Sequence, residues 1–150
     1  MAPFRKGAKV KIRYSGREPR KAHESDAAYD LKAQITLPRT INPGESVTFP
    51  LGFRVSIPDG YVGLVVPRSV LAFKHGITLL NSPGVIDPGY VGEVMARLVN
   101  HGNAPYMVTP YDRIAQLLVV KCAEVEFEHS DDIASDETER GDGGFGSTGR

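Results

Sequence analysis

Phe53-Arg54-Val55-Ser56-Ile57-Pro58-Asp59-Gly60-Tyr61-Val62-Gly63-Leu64-Val65-Val66 decides the fold class. Phe53, Val55 and Ile57 alternate with Arg54 and Ser56, the period of a strand with one buried face. Pro58-Asp59-Gly60 is turn chemistry: proline presets φ, and glycine accepts the positive φ that many turns need. Tyr61 to Val66 then reads as a second β-type run. The pattern continues outward. Val10, Ile12 and Tyr14 alternate with Lys11 and Arg13, and Val91 to Val99 and Ile114 to Val120 are further candidate strands. Asn42-Pro43-Gly44, Ser82-Pro83-Gly84, Asp87-Pro88-Gly89 and His101-Gly102-Asn103 punctuate the chain at short intervals. Many short strands with regular turns predict an all-β jelly-roll or β-barrel, mostly antiparallel. One stretch reads as helical: Ser69 caps Val70-Leu71-Ala72-Phe73-Lys74, and Gly76 ends it.

The 150 residues fit one domain, large enough to bury a core without disulfides. Lys plus Arg number 18, as do Asp plus Glu, so no overall basic footprint for nucleic acid exists. No apolar run approaches the roughly 18 residues of a membrane span. The lone Cys122, in the apolar stretch Leu117 to Ala123, reads as a small buried hydrophobe. A single cysteine is compatible with a reducing, cytoplasmic setting. Arg5 to Lys21 is mostly basic and Glu124 to Glu139 mostly acidic. The expected organisation is therefore a β jelly roll over 1–123, followed by a flexible acidic arm and glycine-rich closing tail over 124–150.

Four segments carry residues suited to an anionic ligand. The tail, Arg140-Gly141-Asp142-Gly143-Gly144-Phe145-Gly146-Ser147-Thr148-Gly149-Arg150, combines glycines that let backbone N–H groups approach an anion with two hydroxyls, a guanidinium and an aromatic face. Composition alone also fits a disordered terminus. A Walker loop is excluded, because no lysine precedes Ser147-Thr148 and the chain ends where the helix would begin. Pro67-Arg68-Ser69-Val70 opens the helical turn with a cation and a hydroxyl, although Ser69 serves equally as a plain N-cap. Asn81 to Tyr90 reads as a hairpin with two tight turns whose backbone edge could pair with a base. Within it, Asp87 is either a turn residue before Pro88 or a carboxylate that orients a water as general base. Gln116 interrupts an apolar strand with an amide that either donates to phosphate or simply faces outward. His23, His75, His101 and His129 have no metal-ligand spacing.

Taken in order, these four segments together with Ala28 to Leu31 resemble the five motifs of the trimeric deoxyuridine triphosphatase (dUTPase) family. They are Ala28-Tyr29-Asp30-Leu31, Pro67 to Ala72, Gly84 to Glu93, Arg113 to Leu118 and Arg140 to Gly149. The resemblance implies a jelly roll, a homotrimer with three sites shared between subunits, and Mg²⁺-dependent hydrolysis of dUTP to dUMP and pyrophosphate. That reaction would supply dUMP for thymidylate synthesis and keep uracil out of DNA. By the same likeness Asp87 activates the water that attacks the α-phosphate, and Tyr90 packs on the deoxyribose. Asn81 and the backbone of Val85, Ile86 and Met95 read uracil. Arg68, Ser69, Val70 and Gln116 hold phosphates. Arg140, Phe145, Gly146, Ser147 and Thr148 form the closing tail. Asp30 would lie near the metal region, with Mg²⁺ held by the triphosphate oxygens. Two positions depart from the family pattern: Val70 stands where glycine usually follows the serine, and Val91 replaces a residue more often polar. The related dCTP deaminases are disfavoured, because their catalytic glutamate would fall on Arg97, which cannot shuttle that proton. A non-catalytic nucleotide-binding regulator is the rival from another class; the intact Asp87 and tail oppose it.

Overall fold

The computed structural model describes residues 7, 9–133 and 138–144. Ten strands and one helix follow in chain order: β1 (Arg13–Gly16), β2 (Tyr29–Lys32), β3 (Arg39–Ile41), β4 (Ser46–Ser56), β5 (Tyr61–Val66), α1 (Ser69–His75), β6 (Ile77–Leu79), β7 (Gly84–Ile86), β8 (Glu93–Asn100), β9 (Tyr106–Val108) and β10 (Arg113–Lys121). They form two four-stranded sheets, ordered β1-β4-β8-β6 and β2-β10-β5-β7, and a small β3-β9 pair. All these pairings are antiparallel. The all-β expectation of mostly antiparallel strands with one short helix therefore holds.

The opening stretch makes the sandwich. Phe49, Leu51, Phe53 and Val55 of β4 are buried at every second position, as the alternation requires. At Pro58-Asp59-Gly60 the chain turns, with Gly60 at φ +79° and Tyr61 N–H donating to the Pro58 carbonyl (3.2 Å). It then enters the other sheet: β4 pairs with β1 and β8, and β5 with β10 and β7. Leu31, Ile114 and Leu117 meet Phe49, Leu51, Ile77 and Leu98 in one core. Each such side chain contributes about 1.5–3 kcal/mol on burial. Asn100, the one buried polar residue among those described, is fully used. Its amide donates to the carbonyls of Ile41 and Ala104 and its oxygen accepts from Gly102 N–H, each at 2.8 Å.

Three local expectations need correction. The N-cap of α1 is Arg68, in extended backbone and without a side-chain cap; Ser69 is already helical. Gly76 does end the helix, at φ +68°. Asn81 to Tyr90 is not a hairpin, because β7 pairs with β5 and β8 with β4, in different sheets. The segment instead carries the chain from one sheet to the other and back. Cys122 is exposed. Its backbone N–H still bonds Gly60 (2.8 Å), but it lies past the end of β10, where the apolar run has left the core. Val70 sits in the first turn of α1, a backbone conformation that asks nothing of glycine. No helix among the described residues is long and apolar enough to cross a membrane.

Candidate functional site

The corrected topology of residues 81–95 creates a cavity of about 170 Å³ between the sheets. Asn81, Val85, Ile86, Tyr90 and Met95, five residues expected from the sequence, all line it. Two free strand edges face each other here. β7 is the last strand of its sheet, so alternate N–H and C=O groups of Val85 and Ile86 have no ladder partner on the outer side. β6 accompanies β8 only as far as the Leu79–Leu98 pair, which leaves Met95 beyond its reach. Backbone donors and acceptors are thus offered to a planar ligand, with the Asn81 amide beside Gly84. Leu79, Val65 and Ala96 supply apolar walls. Sequence reasoning missed them: Val65 comes from a strand distant in the chain, and Leu79 and Ala96, though neighbours of Asn81 and Met95, carry no polar group that would single them out.

Asp87 follows β7 directly and is exposed. It opens the turn Asp87-Pro88-Gly89-Tyr90, in which Tyr90 N–H donates to the Asp87 carbonyl (3.2 Å) and Gly89 takes φ +86°. Proline before a positive-φ glycine is type II turn chemistry. The turn sets the carboxylate three residues before Tyr90, which lines the cavity, while Asp87 itself stays outside the lining.

A second constellation lies at the far end of β5. Asp30 on β2 pairs across to Gln116 on β10, and Gln116 pairs across to Val66 on β5, two residues before Arg68. Only 9 % of the Asp30 side chain is accessible. It accepts from Gln116 Nε2 (3.3 Å) and faces Arg68 Nε (3.8 Å) and Arg113 Nη1 (3.6 Å). Arg68 Nη1 also donates to the Arg113 carbonyl (2.9 Å). One carboxylate between two guanidiniums leaves a net positive charge next to the exposed Ser69 and Val70, a setting for an anion. Arg113 had no role in the sequence reading; its only signal was its place beside Gln116 in one motif. Near this cluster, burial raises the Tyr106 hydroxyl above its ordinary value, Asp112 adds to the rise, and Arg68 partly opposes it.

No group of three His, Cys, Asp or Glu side chains that could hold a metal exists among the described residues. The Asp30 carboxylate is engaged by its arginines. That donor set suits an ion that arrives already coordinated by phosphate oxygens. Arg97 points away from this chemistry and donates to Ser46 Oγ (3.0 Å). Arg140 Nε bonds the carbonyl of its own neighbour Gly143 (2.9 Å). Phe145, Gly146, Ser147 and Thr148 lie outside the described residues. A larger cavity, about 300 Å³, is lined by Arg17, Arg20, Lys32, Leu51 and Phe53 among others. Of the expected site residues only Asp30 touches it, so the smaller cavity, where five converge, is the better candidate for the ligand.

The two constellations are far apart. Ile86 pairs with Gly63, so Asp87 lies level with Val62, and Arg68 is six residues further along the same extended chain. At about 3.3 Å per residue the separation is about 20 Å. A triphosphate is much shorter.

A family model described as dUTPase matches residues 15–149. The deoxyuridine 5'-triphosphate nucleotidohydrolase of Gloeobacter violaceus is 45% identical over 131 residues, covering 87% of this chain and 88% of that protein. The enzyme of the same name from Burkholderia lata is 43% identical over 133 residues, 88% of each. Among solved structures, the Staphylococcus bacteriophage 80alpha dUTPase with dUPNHPP superposes with a TM-score of 0.84 at 25% identity, over 95% of this chain and all of that one.

Proposed function

The chain belongs to the dUTPase family, and from that premise we propose a site shared between copies, in which Asp87 of one copy works with Arg68 and Gln116 of another. The reaction is hydrolysis of dUTP to dUMP and pyrophosphate. The carrying observation is the spacing along β5. Uracil seated against Asn81, Val85, Ile86 and Met95 lies toward the Arg68 end of that strand, while Tyr90 and Asp87 lie toward the other. A nucleotide so seated points its phosphates away from the Arg68 of its own chain. A second copy must bring its own cluster to them, and a closed ring of three satisfies every copy equally.

Within that site Asp87 takes a proton from the water attacking the α-phosphate. The α-phosphorus–oxygen bond to the β-phosphate breaks, and pyrophosphate leaves. Tyr90 lies against the deoxyribose and leaves no room for a 2′-hydroxyl. Arg68, Gln116, Ser69 and the backbone at Val70 hold the phosphates, with Asp30 orienting Arg68 and Gln116. Mg²⁺ brought in with the triphosphate would lie near Asp30 and would supply charge neutralisation that Arg68 and Gln116 would otherwise provide alone.

The arm fits exchange between copies. Glu124, Glu126 and Glu128 alternate with Val125, Phe127 and His129, a strand pattern, yet the described arm forms no strand, and Phe127 is 94 % exposed. The groove lined by Arg17, Arg20 and Lys32 also holds Glu18 and Asp30, with Glu18 paired to Arg20 (3.4 Å), so it offers the acidic arm a small positive excess. Arg140, Phe145, Gly146, Ser147 and Thr148 then close over the neighbour's nucleotide and exclude water. A cytoplasmic setting, with no nucleic acid or membrane partner, belongs to the same proposal. Asp87→Asn is expected to keep dUTP binding within a few-fold while turnover falls about 10²–10⁴-fold. Pyrophosphate release beside equilibrium binding measures both, and undiminished turnover would remove Asp87 as the base.

A further inference from the structure

Tyr90 is half exposed, yet it must hold still to act as a wall. Three contacts brace it and the loop it ends. Its hydroxyl donates to the carbonyl of Glu93 (2.9 Å). Its ring lies on Gly92 so closely that a Cβ there would come 2.4 Å from the hydroxyl oxygen and 2.6 Å from Cζ. Arg54 reaches from β4, across from Glu93, and donates Nη1 to the Val91 carbonyl (2.9 Å). Glu93 in turn accepts from Gly52 N–H (3.3 Å), at the irregularity in β4 between Pro50 and Arg54. The cavity lining includes Tyr90 and Glu93 but neither Gly92 nor Arg54.

We infer that Gly92 and Arg54 are positioning residues that set the preference for deoxyribose over ribose, by holding the Tyr90 ring against the rim of the cavity. The inference rests on Tyr90 being the sugar wall. The three atoms nearest a methyl group at position 92 all belong to the far end of the half-exposed Tyr90 side chain, and Gly92 has no positive φ to lose. The fold therefore has little reason to resist the substitution, whereas the ring must leave its place. A displaced ring opens room for one extra hydroxyl. A site that excludes a hydroxyl by shape alone discriminates by about 10²-fold, and that is the selectivity at stake. The hydroxyl of Tyr90 is on this account an anchor to backbone, not a contact to substrate.

The test is the ratio of kcat/KM for dUTP to that for UTP, with Mg²⁺, in Gly92→Ala, Tyr90→Ala and the double variant. The ratio is expected to fall about 10- to 100-fold in each single variant and no further in the double, because both remove the same wall. A smaller fall is expected for Arg54→Met, which removes the brace on Val91 while leaving Gly92 open; this variant carries the test if Gly92→Ala does not fold. An unchanged ratio in Gly92→Ala and Arg54→Met, with Tyr90→Ala still lowering it, would overturn the bracket alone. An unchanged ratio in Tyr90→Ala would overturn the sugar-wall reading beneath it.

Discussion

The cavity between β7 and β8 and the cluster at the end of β5 are built on opposite plans. The cavity uses backbone and shape: two unpaired strand edges, apolar walls and one amide. The cluster uses charge: two guanidiniums held in place by one largely buried carboxylate. The first suits a planar base and a sugar, the second a polyanion. Their separation teaches why neither is a dUTPase site alone. On the proposed reading a single chain carries both halves and turns them toward different nucleotides.

If the halves are separate, each can be damaged without the other. Within the cluster the largest effect is expected from Arg68→Ala. Losing a charge-assisted donor costs about 1.5–3 kcal/mol, so KM for dUTP should rise about 10- to 150-fold. Deoxyuridine binding, measured calorimetrically, should not change. A parallel loss for deoxyuridine would break the comparison. Asp30→Asn should follow. Removing the carboxylate leaves two arginines facing each other near β10, so affinity for dUTP should fall several-fold and thermal stability should drop too. Unchanged melting would mean that Asp30 does not organise the cluster. The smallest effect concerns Tyr106, beside the cluster. Its folded pKa is raised above 10.0, chiefly by burial. The stability this group contributes is fully present below the unfolded value and is lost as pH rises through the folded one. Denaturation curves at increasing pH above 10 should therefore show less loss of stability in Tyr106→Phe than in the parent chain. Identical curves would remove Tyr106 as a source of alkaline sensitivity.

The two halves also differed in how far the sequence revealed them. The five expected cavity residues, from Asn81 to Met95, lie within fifteen positions, and their turns are written in Pro83-Gly84 and Pro88-Gly89, so local chemistry announced them. What local chemistry could not supply was the pairing. Asn81 to Tyr90 looked like a hairpin because two turn signals flank a short apolar run. Pairing with β5 is a long-range outcome, and it alone frees the edges of β7 and β8. The cluster depended wholly on such outcomes. Asp30, Gln116 and Val66 line up across three strands through register, and nothing near Arg113 hinted that its side chain would share Asp30 with Arg68. Cys122 misled for the same reason: an apolar run continues past the end of a strand whose partners have stopped. Ser69 had the right chemistry for a cap, but the helix begins one residue earlier than that role requires.

Mixing two crippled copies tests the shared site most directly. Asp87→Asn keeps Arg68, and Arg68→Ala keeps Asp87. Assayed separately at low dUTP, both should be nearly inactive. Unfolded together at equal amounts and refolded, mixed trimers should each contain one site with Asp87 and Arg68 both intact. Activity should then return to about a quarter of the parent's per chain. Mixing without any gain, in oligomers shown to contain both variants, would contradict a site built from two copies.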